Sequence, residues 1–161
     1  MSARACHSIE KLIRSRKIPK RLKSQHLKPV TIVRFKNKLG KGKYTEILAL
    51  LDSGGAGTLV TAKAAKKLRL KKSNLKPKKW TTPAGEVTTQ KTVKTEMTLP
   101  EFYDNRIVEW DYHVAESLGM YDMIIGRDML SFLGIDIRFS NDTVEWGTAS
   151  IPHSSFPLPA Y

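Results

Sequence analysis

Residues 48–51, Leu48-Ala49-Leu50-Leu51, form an apolar run that ends on one carboxylate, Asp52. A turn of Ser53, Gly54, Gly55, Ala56 and Gly57 follows, and Thr58, Leu59 and Val60 carry the chain away. No other residues in the chain are better placed to do chemistry. Glycine has no side chain to hold neighbouring backbone at a distance, so the chain or a ligand can come very close to the acid. A carboxylate held this way can take up and return a proton. It can equally start the turn or cap a following helix, and the string by itself leaves both open. Other chemistry is thinly represented. The single cysteine, Cys6, excludes an internal disulfide framework and a cysteine-rich zinc site. His7, His26, His113 and His153 are scattered without ligand spacing. The expectation is therefore no metal and no cofactor.

The elements that must position Asp52 read as mostly β. Val30–Lys36 alternates apolar with polar residues and predicts a strand, Asn37–Gly42 a turn, and Tyr44–Leu51 a second strand that delivers the acid. Residues 58–60 are extended. Thr61 caps a short helix through Leu68, with Ala62, Ala65 and Leu68 inward. Lys71–Lys79 reads as a basic loop and Trp80–Thr89 as a hairpin tip around Pro83, Ala84 and Gly85. Thr92–Leu99 and Arg106–Val114 predict strands, and Met123-Ile124-Ile125 a short, fully apolar one ending at Gly126. Asp128 is placed to cap a helix over Met129–Leu133, with Gly134 as its stop. Ile135, Ile137 and Phe139 alternate up to a turn at Ser140-Asn141-Asp142, and Val144–Trp146 returns as a hairpin. The total is about seven strands and two short helices. An apolar run ending in an acid-bearing turn and leading to a helix occurs twice, as if one domain were built from two similar halves.

A chain of 161 residues supports one domain with tails. Its charge is lopsided. Residues 1–95 hold 25 Lys+Arg against 4 Asp+Glu, and residues 96–161 hold 3 against 11. Residues 1–28 read as a basic arm, with a short amphipathic helix over Ser8–Ser15 that Pro19 interrupts, residues 29–152 as the folded domain, and residues 153–161 as a tail. A basic arm implies an acidic partner, RNA being the obvious one, although lysine-rich faces are more often merely solvated. No stretch is apolar for long enough to span a membrane, and the start is not a secretory signal, so no membrane partner and a cytoplasmic setting are expected.

A second motif lies 70-odd residues after the first: Tyr121-Asp122-Met123-Ile124-Ile125-Gly126-Arg127-Asp128-Met129-Leu130, followed by Phe132-Leu133-Gly134-Ile135-Asp136-Ile137. With the Asp52 motif, in this order and at this spacing, it resembles the retropepsins, the aspartic proteases of retroviruses, and in particular the protease domain of long-terminal-repeat retrotransposon polyproteins of the gypsy type. The resemblance runs from about Pro29 to Pro152. It includes Val144-Glu145-Trp146 to Ser150-Ile151-Pro152, which looks like the stretch joining protease to reverse transcriptase.

The resemblance implies an all-β acid-protease fold, one lobe per chain with one or two short helices, closing as a homodimer. Asp52 would be catalytic, met on the two-fold axis by Asp52 of a second copy. Ser53 matches the hydroxyl residue that braces the two active-site turns across that axis, Gly54 the glycine whose backbone faces substrate, and Gly55 the next turn position. Trp80, Thr82, Ala84 and Gly85 fall in the flap, the hairpin that folds over the substrate, although Trp80 is equally readable as a plain core aromatic. Ile125 and Gly126 would pack the second loop against the catalytic turn. Arg127 would make a structural ion pair, and Asp128 reads as helix cap rather than catalyst. The chain departs from the family at Gly55, where alanine is usual, at Ala56, where serine is frequent, and at Gly57, where many relatives have an acid that pairs with the arginine. That leaves the partner of Arg127 open, with Asp122 and Asp128 near it in sequence. The implied activity is an endopeptidase that cleaves its own Gag-Pol-type polyprotein, in the cytoplasm or within virus-like particles. The alternative is a catalytically weak or inactive module of the same fold, used for assembly or for binding nucleic acid.

Overall fold

A computed structural model describes residues 27–36, 44–83 and 85–155. The expected helix at 8–15, the turn at 37–42, Ala84 and the prolines at 157 and 159 lie outside these residues. In chain order the elements are β1 (Leu27–Lys28), β2 (Val30–Lys36), β3 (Tyr44–Leu51), β4 (Leu59–Thr61), α1 (Ala62–Lys67), β5 (Lys72–Thr82), β6 (Gly85–Leu99), β7 (Tyr103–Ala115), β8 (Met123–Ile125), α2 (Arg127–Leu133), β9 (Ile135–Arg138), β10 (Thr143–Trp146), β11 (Ala149–Pro152) and β12 (Ser154–Ser155).

Seven strands form one sheet in the order β2-β3-β8-β4-β7-β6-β5, and β2 pairs back onto β6 at Arg34↔Thr98 and Phe35↔Met97, which closes it towards a barrel. β9, β10 and β11 form a three-stranded antiparallel sheet, and β1 pairs with β12. This is the retropepsin-like single lobe that the sequence led us to expect.

The position of β8 matters most for the site. It lies between β3 and β4, parallel to β3 (Leu51↔Ile125) and antiparallel to β4 (Leu59↔Ile124). The strands that enter and leave the Asp52 turn are thus held apart by a third strand, which itself runs into the second loop.

The apolar runs show no alternation because both of their faces are buried. Successive side chains of a strand point to opposite sides. Ile47, Ala49 and Leu51 enter the main core with Met123 and Ile125, whereas Leu48 and Leu50 enter a second cluster with Ile124, Leu59 and Trp80. Each fully buried branched side chain contributes roughly 1.5–3 kcal/mol, so the turn is mounted on some of the most firmly held backbone in the chain.

Three expectations need correction. Residues 71–79 are not a loop, since β5 runs from Lys72 to Thr82 and pairs with β6. It is an edge strand with almost every side chain exposed, so it has no buried face to produce a pattern. Pro77 is accommodated where the register shifts between Asn74 and Lys78. Pairing also extends past residues 29 and 152, because β1 and β12 bring the two ends of the described chain together. Finally, twelve strands are described rather than seven, the additional ones being edge or two- to four-residue segments. The helix predicted behind Thr61 is present, with Thr61 Oγ1 accepting from the Ala64 amide (3.1 Å).

Candidate active site

The Asp52 turn is fixed by backbone on both sides. The Asp52 amide donates to the Ile125 carbonyl (2.9 Å), and the Arg127 amide donates to the Gly55 carbonyl (2.7 Å). Two loops some 70 residues apart in the chain are therefore joined by main-chain hydrogen bonds. The Asp52 carboxylate is half-exposed and accepts from the Gly54 amide (3.0 Å). The Gly55 amide donates to the Asp52 carbonyl (3.2 Å), which closes the turn. Ser53 and Gly54 are exposed and Gly55 is buried.

Glycine is required at two points of this clamp. A Cβ on Gly126 would stand 2.3 Å from the Gly57 carbonyl oxygen and 3.0 Å from that of Gly55, so any larger residue would force the loops apart. A Cβ on Gly57 would stand 2.3 Å from Trp80 Cζ3. The indole occupies the space that a side chain at position 57 would need.

Thr58 and Asp128 complete the clamp, and sequence reasoning gave Thr58 no role. Fully buried Thr58 Oγ1 accepts from the Gly126 amide (3.1 Å) and donates to Asp128 Oδ1 (2.8 Å), while the Thr58 amide donates to Asp128 Oδ2 (3.2 Å). Asp128 also accepts from the Met129 amide (2.8 Å). The only sequence signal for this was a β-branched hydroxyl residue directly after the glycines.

Asp128 is consequently not the cap of its helix. α2 begins at Arg127 with Gly126 as the capping residue, without a side-chain bond, and Asp128 lies inside the first turn. Its negative charge favours the helix start there, but its oxygens serve Thr58. Gly134 ends the helix in the left-handed conformation (φ 69°), as expected. Arg127 is exposed, and among the described residues no carboxylate lies within ion-pair distance of it. Gly57 supplies no acid for it, and Asp128 is engaged by Thr58.

The β5–β6 hairpin rises beside this turn. Thr82 faces Gly85 across its tip, with Thr82 Oγ1 donating to the Gly85 carbonyl (2.8 Å) and Gly85 at φ 108°, a conformation other residues rarely adopt. Trp80, opposite Val87, lies two residue pairs below the Thr82–Gly85 tip. It is buried, its Nε1 donates to Thr89 Oγ1 (2.8 Å), and its ring meets His113 at 4.6 Å between centroids. Burial, and then the nearby Lys78 charge, hold His113 below the usual histidine range. The Trp80 indole thus packs the outer part of the hairpin against the Asp52 turn at Gly57.

The arrangement offers a half-exposed carboxylate in a glycine turn, with a two-stranded hairpin packed beside that turn through Trp80. Among the described residues no cluster of His, Cys, Asp and Glu could hold a metal ion. A family model described as aspartyl protease matches residues 35–129. No curated protein matches the chain. Among solved structures, the retroviral protease-like domain of Ddi1 from Leishmania major superposes with a TM-score of 0.53, covering 84% of this chain and 100% of its own, at 15% identity. EIAV protease, solved with the inhibitor HBY-793, gives a TM-score of 0.51, covering 72% of this chain and 97% of its own, at 22% identity. At such identities the likeness is one of fold.

Proposed function

The chain belongs to the aspartyl protease family, and from that premise we propose that it is an endopeptidase whose active site forms when two copies bring their Asp52 carboxylates together. The observation that carries this reading is the state of the two motif acids. Asp128 is fully used inside its own subunit, and Asp52 is presented half-exposed with one intrachain amide donor. One chain thus offers one carboxylate for chemistry, and acid–base hydrolysis of this type needs two.

Two carboxylates within hydrogen-bond reach cannot readily both ionise, so the pair shares one proton. The ionised Asp52 takes a proton from a water molecule, which attacks the scissile carbonyl. The protonated Asp52 of the other copy hydrogen-bonds the carbonyl oxygen and stabilises the charge that develops there. Ser53, exposed beside Asp52, would brace the opposing turn, and the β5–β6 hairpin would close over the peptide.

Dimerisation is supported by the small β1–β12 sheet. A pair of two-residue strands is too short to be stable alone, and among the described residues its outer edges have no strand partner. Leu27 at its start is 44% exposed. A second copy adding its own pair would extend the sheet and cover that side chain. The substrate we propose is the polyprotein of a retrotransposon or retrovirus-like element, on the strength of the motif pair and its spacing. The test is cleavage of a polyprotein segment containing residues 1–161 and its flanks. Cleavage that pepstatin blocks and Asp52→Asn abolishes supports the reading; cleavage that persists in Asp52→Asn refutes it.

A further inference from the structure

Between Asp52 and Glu86 the chain has no acidic residue, and within that stretch it has nine basic ones: Lys63, Lys66, Lys67 and Arg69 on or just after α1, and Lys71, Lys72, Lys76, Lys78 and Lys79 on or just before β5. All nine are exposed. Among the described residues none of them has a carboxylate within ion-pair distance, whereas Arg34, Lys94 and Arg138 elsewhere pair with Glu46, Glu109 and Glu145. Among the described residues three of the eight other cations are thus neutralised, and none of these nine is.

Lysines that protect an exposed strand edge would explain those of β5, but not those of α1. Lys63 and Lys66 are neighbours on one side of the helix, and no acid lies in its first turn to offset them. Arg69 is held at φ 53°, with its amide donating to the Lys66 carbonyl (3.0 Å) and the Leu70 amide to the Ala65 carbonyl (3.1 Å). That is a helix end at which glycine is the ordinary residue, and a guanidinium is kept there despite the backbone strain. Lys63, Lys66, Arg69 and Lys72 line an open groove of about 750 Å³ with Ala62 and Leu70 along its floor and one acid, Glu116.

We propose that this groove binds the backbone of single-stranded RNA without reading its sequence. Eight of the nine cations are lysines, point charges suited to phosphates rather than to the bidentate recognition of base edges. Trp80, the aromatic residue of this stretch, is buried and offers bases no stacking surface. An ionised carboxylate only accepts hydrogen bonds. Glu116 therefore opposes phosphate but suits a ribose 2′-hydroxyl, the group that distinguishes RNA from DNA. The groove lies outside residues 1–26, so it is a site separate from any contact made by the basic arm.

The test uses the full chain and labelled oligouridylate and oligodeoxyuridylate of equal length, with affinity measured across a salt series. A variant carrying Lys63→Gln, Lys66→Gln, Arg69→Gln and Lys72→Gln is compared with one carrying Lys36→Gln, Lys94→Gln, Arg106→Gln and Arg138→Gln. Both lose the same charge and keep the arm. Unfolding midpoints confirm that each is folded, and the single exposed substitution Lys72→Gln serves as a milder second variant. The groove variant is expected to lower the slope of log affinity against log salt by about 3, from about 0.7 per phosphate contact on a single strand, and the control by far less. RNA should bind more tightly than the deoxy strand, and Glu116→Ala should narrow that difference. Equal losses in the two variants, or no loss in the groove variant, would overturn the site. Tighter groove-dependent binding to phosphatidylserine vesicles than to RNA would overturn the ligand.

Discussion

Asp52 and Asp128 each follow an apolar strand, Asp52 directly after β3 and Asp128 in the first turn of the helix after β8, and the two strands lie side by side and parallel. Their surroundings are opposite. Asp128 accepts from the Thr58 amide, the Thr58 hydroxyl and the Met129 amide. Among the described residues Asp52, half-exposed, accepts only from the Gly54 amide. The difference shows how a duplicated-looking scaffold divides labour: one acid is used to lock two loops together, and the other is what those loops present. A carboxylate whose lone pairs are already committed is a poor proton acceptor, which is why the proposed chemistry is placed on Asp52.

Exchanging each acid for a neutral residue should therefore break different properties. Asp52→Asn is expected to lower the rate of peptide cleavage by about 10³-fold or more while moving stability by less than about 0.5 kcal/mol, measured by peptide hydrolysis and denaturant unfolding. Asp128→Ala should do the reverse first. It strands a buried amide and a buried hydroxyl of Thr58, at a cost of about 2–4 kcal/mol, read from the unfolding midpoint, and activity should fall only as the turn loosens.

A third carboxylate sharpens the contrast by isolating burial. Glu101 accepts from Thr31 Oγ1 (3.0 Å) and the Ile32 amide (2.6 Å), and burial nonetheless pushes it up from 4.5 to about 7. Between those two values the folded chain holds a proton that the unfolded chain has released. Stability should therefore fall as pH rises from about 4.5 to 7 and level off above it, by roughly 3 kcal/mol in all. Glu101→Gln should flatten that dependence and be more stable than the parent at about pH 8, which urea unfolding at several pH values would check.

Smaller effects fall on the clamp between the loops. Gly126→Ala meets the Gly57 carbonyl and should cost about 1–3 kcal/mol, with a parallel loss of activity. Trp80→Phe loses both the bond to Thr89 and the outer ring atoms Cζ3 and Cη2 that pack on Gly57, for about 1–3 kcal/mol, read as a drop in unfolding midpoint.

Much of this was legible in the sequence, for physical reasons. Leu48–Leu51 and Met123–Ile125 are buried on both faces, so each reads as an uninterrupted apolar run, and the turns that follow are marked by glycine. The caps at Thr61 and Gly134 obey local rules. β5 was illegible because an exposed edge strand has no inward face, and its lysines read as loop. β1 and β12 are too short to carry a pattern. Thr58 was passed over because its partners, Gly126 and Asp128, come from residues some 70 positions away. The role of Arg127 was carried over from the resemblance, and its partner was not legible because position 57 is a glycine with Trp80 packed against it.

The central claim is that one active site needs Asp52 from two chains. Wild-type chain can be mixed in increasing proportion with Asp52→Asn at constant total concentration, and the cleavage rate followed. Two half-sites predict a rate that falls as the square of the wild-type fraction. A rate that falls in simple proportion would show that each chain carries a complete site of its own, and would contradict the account.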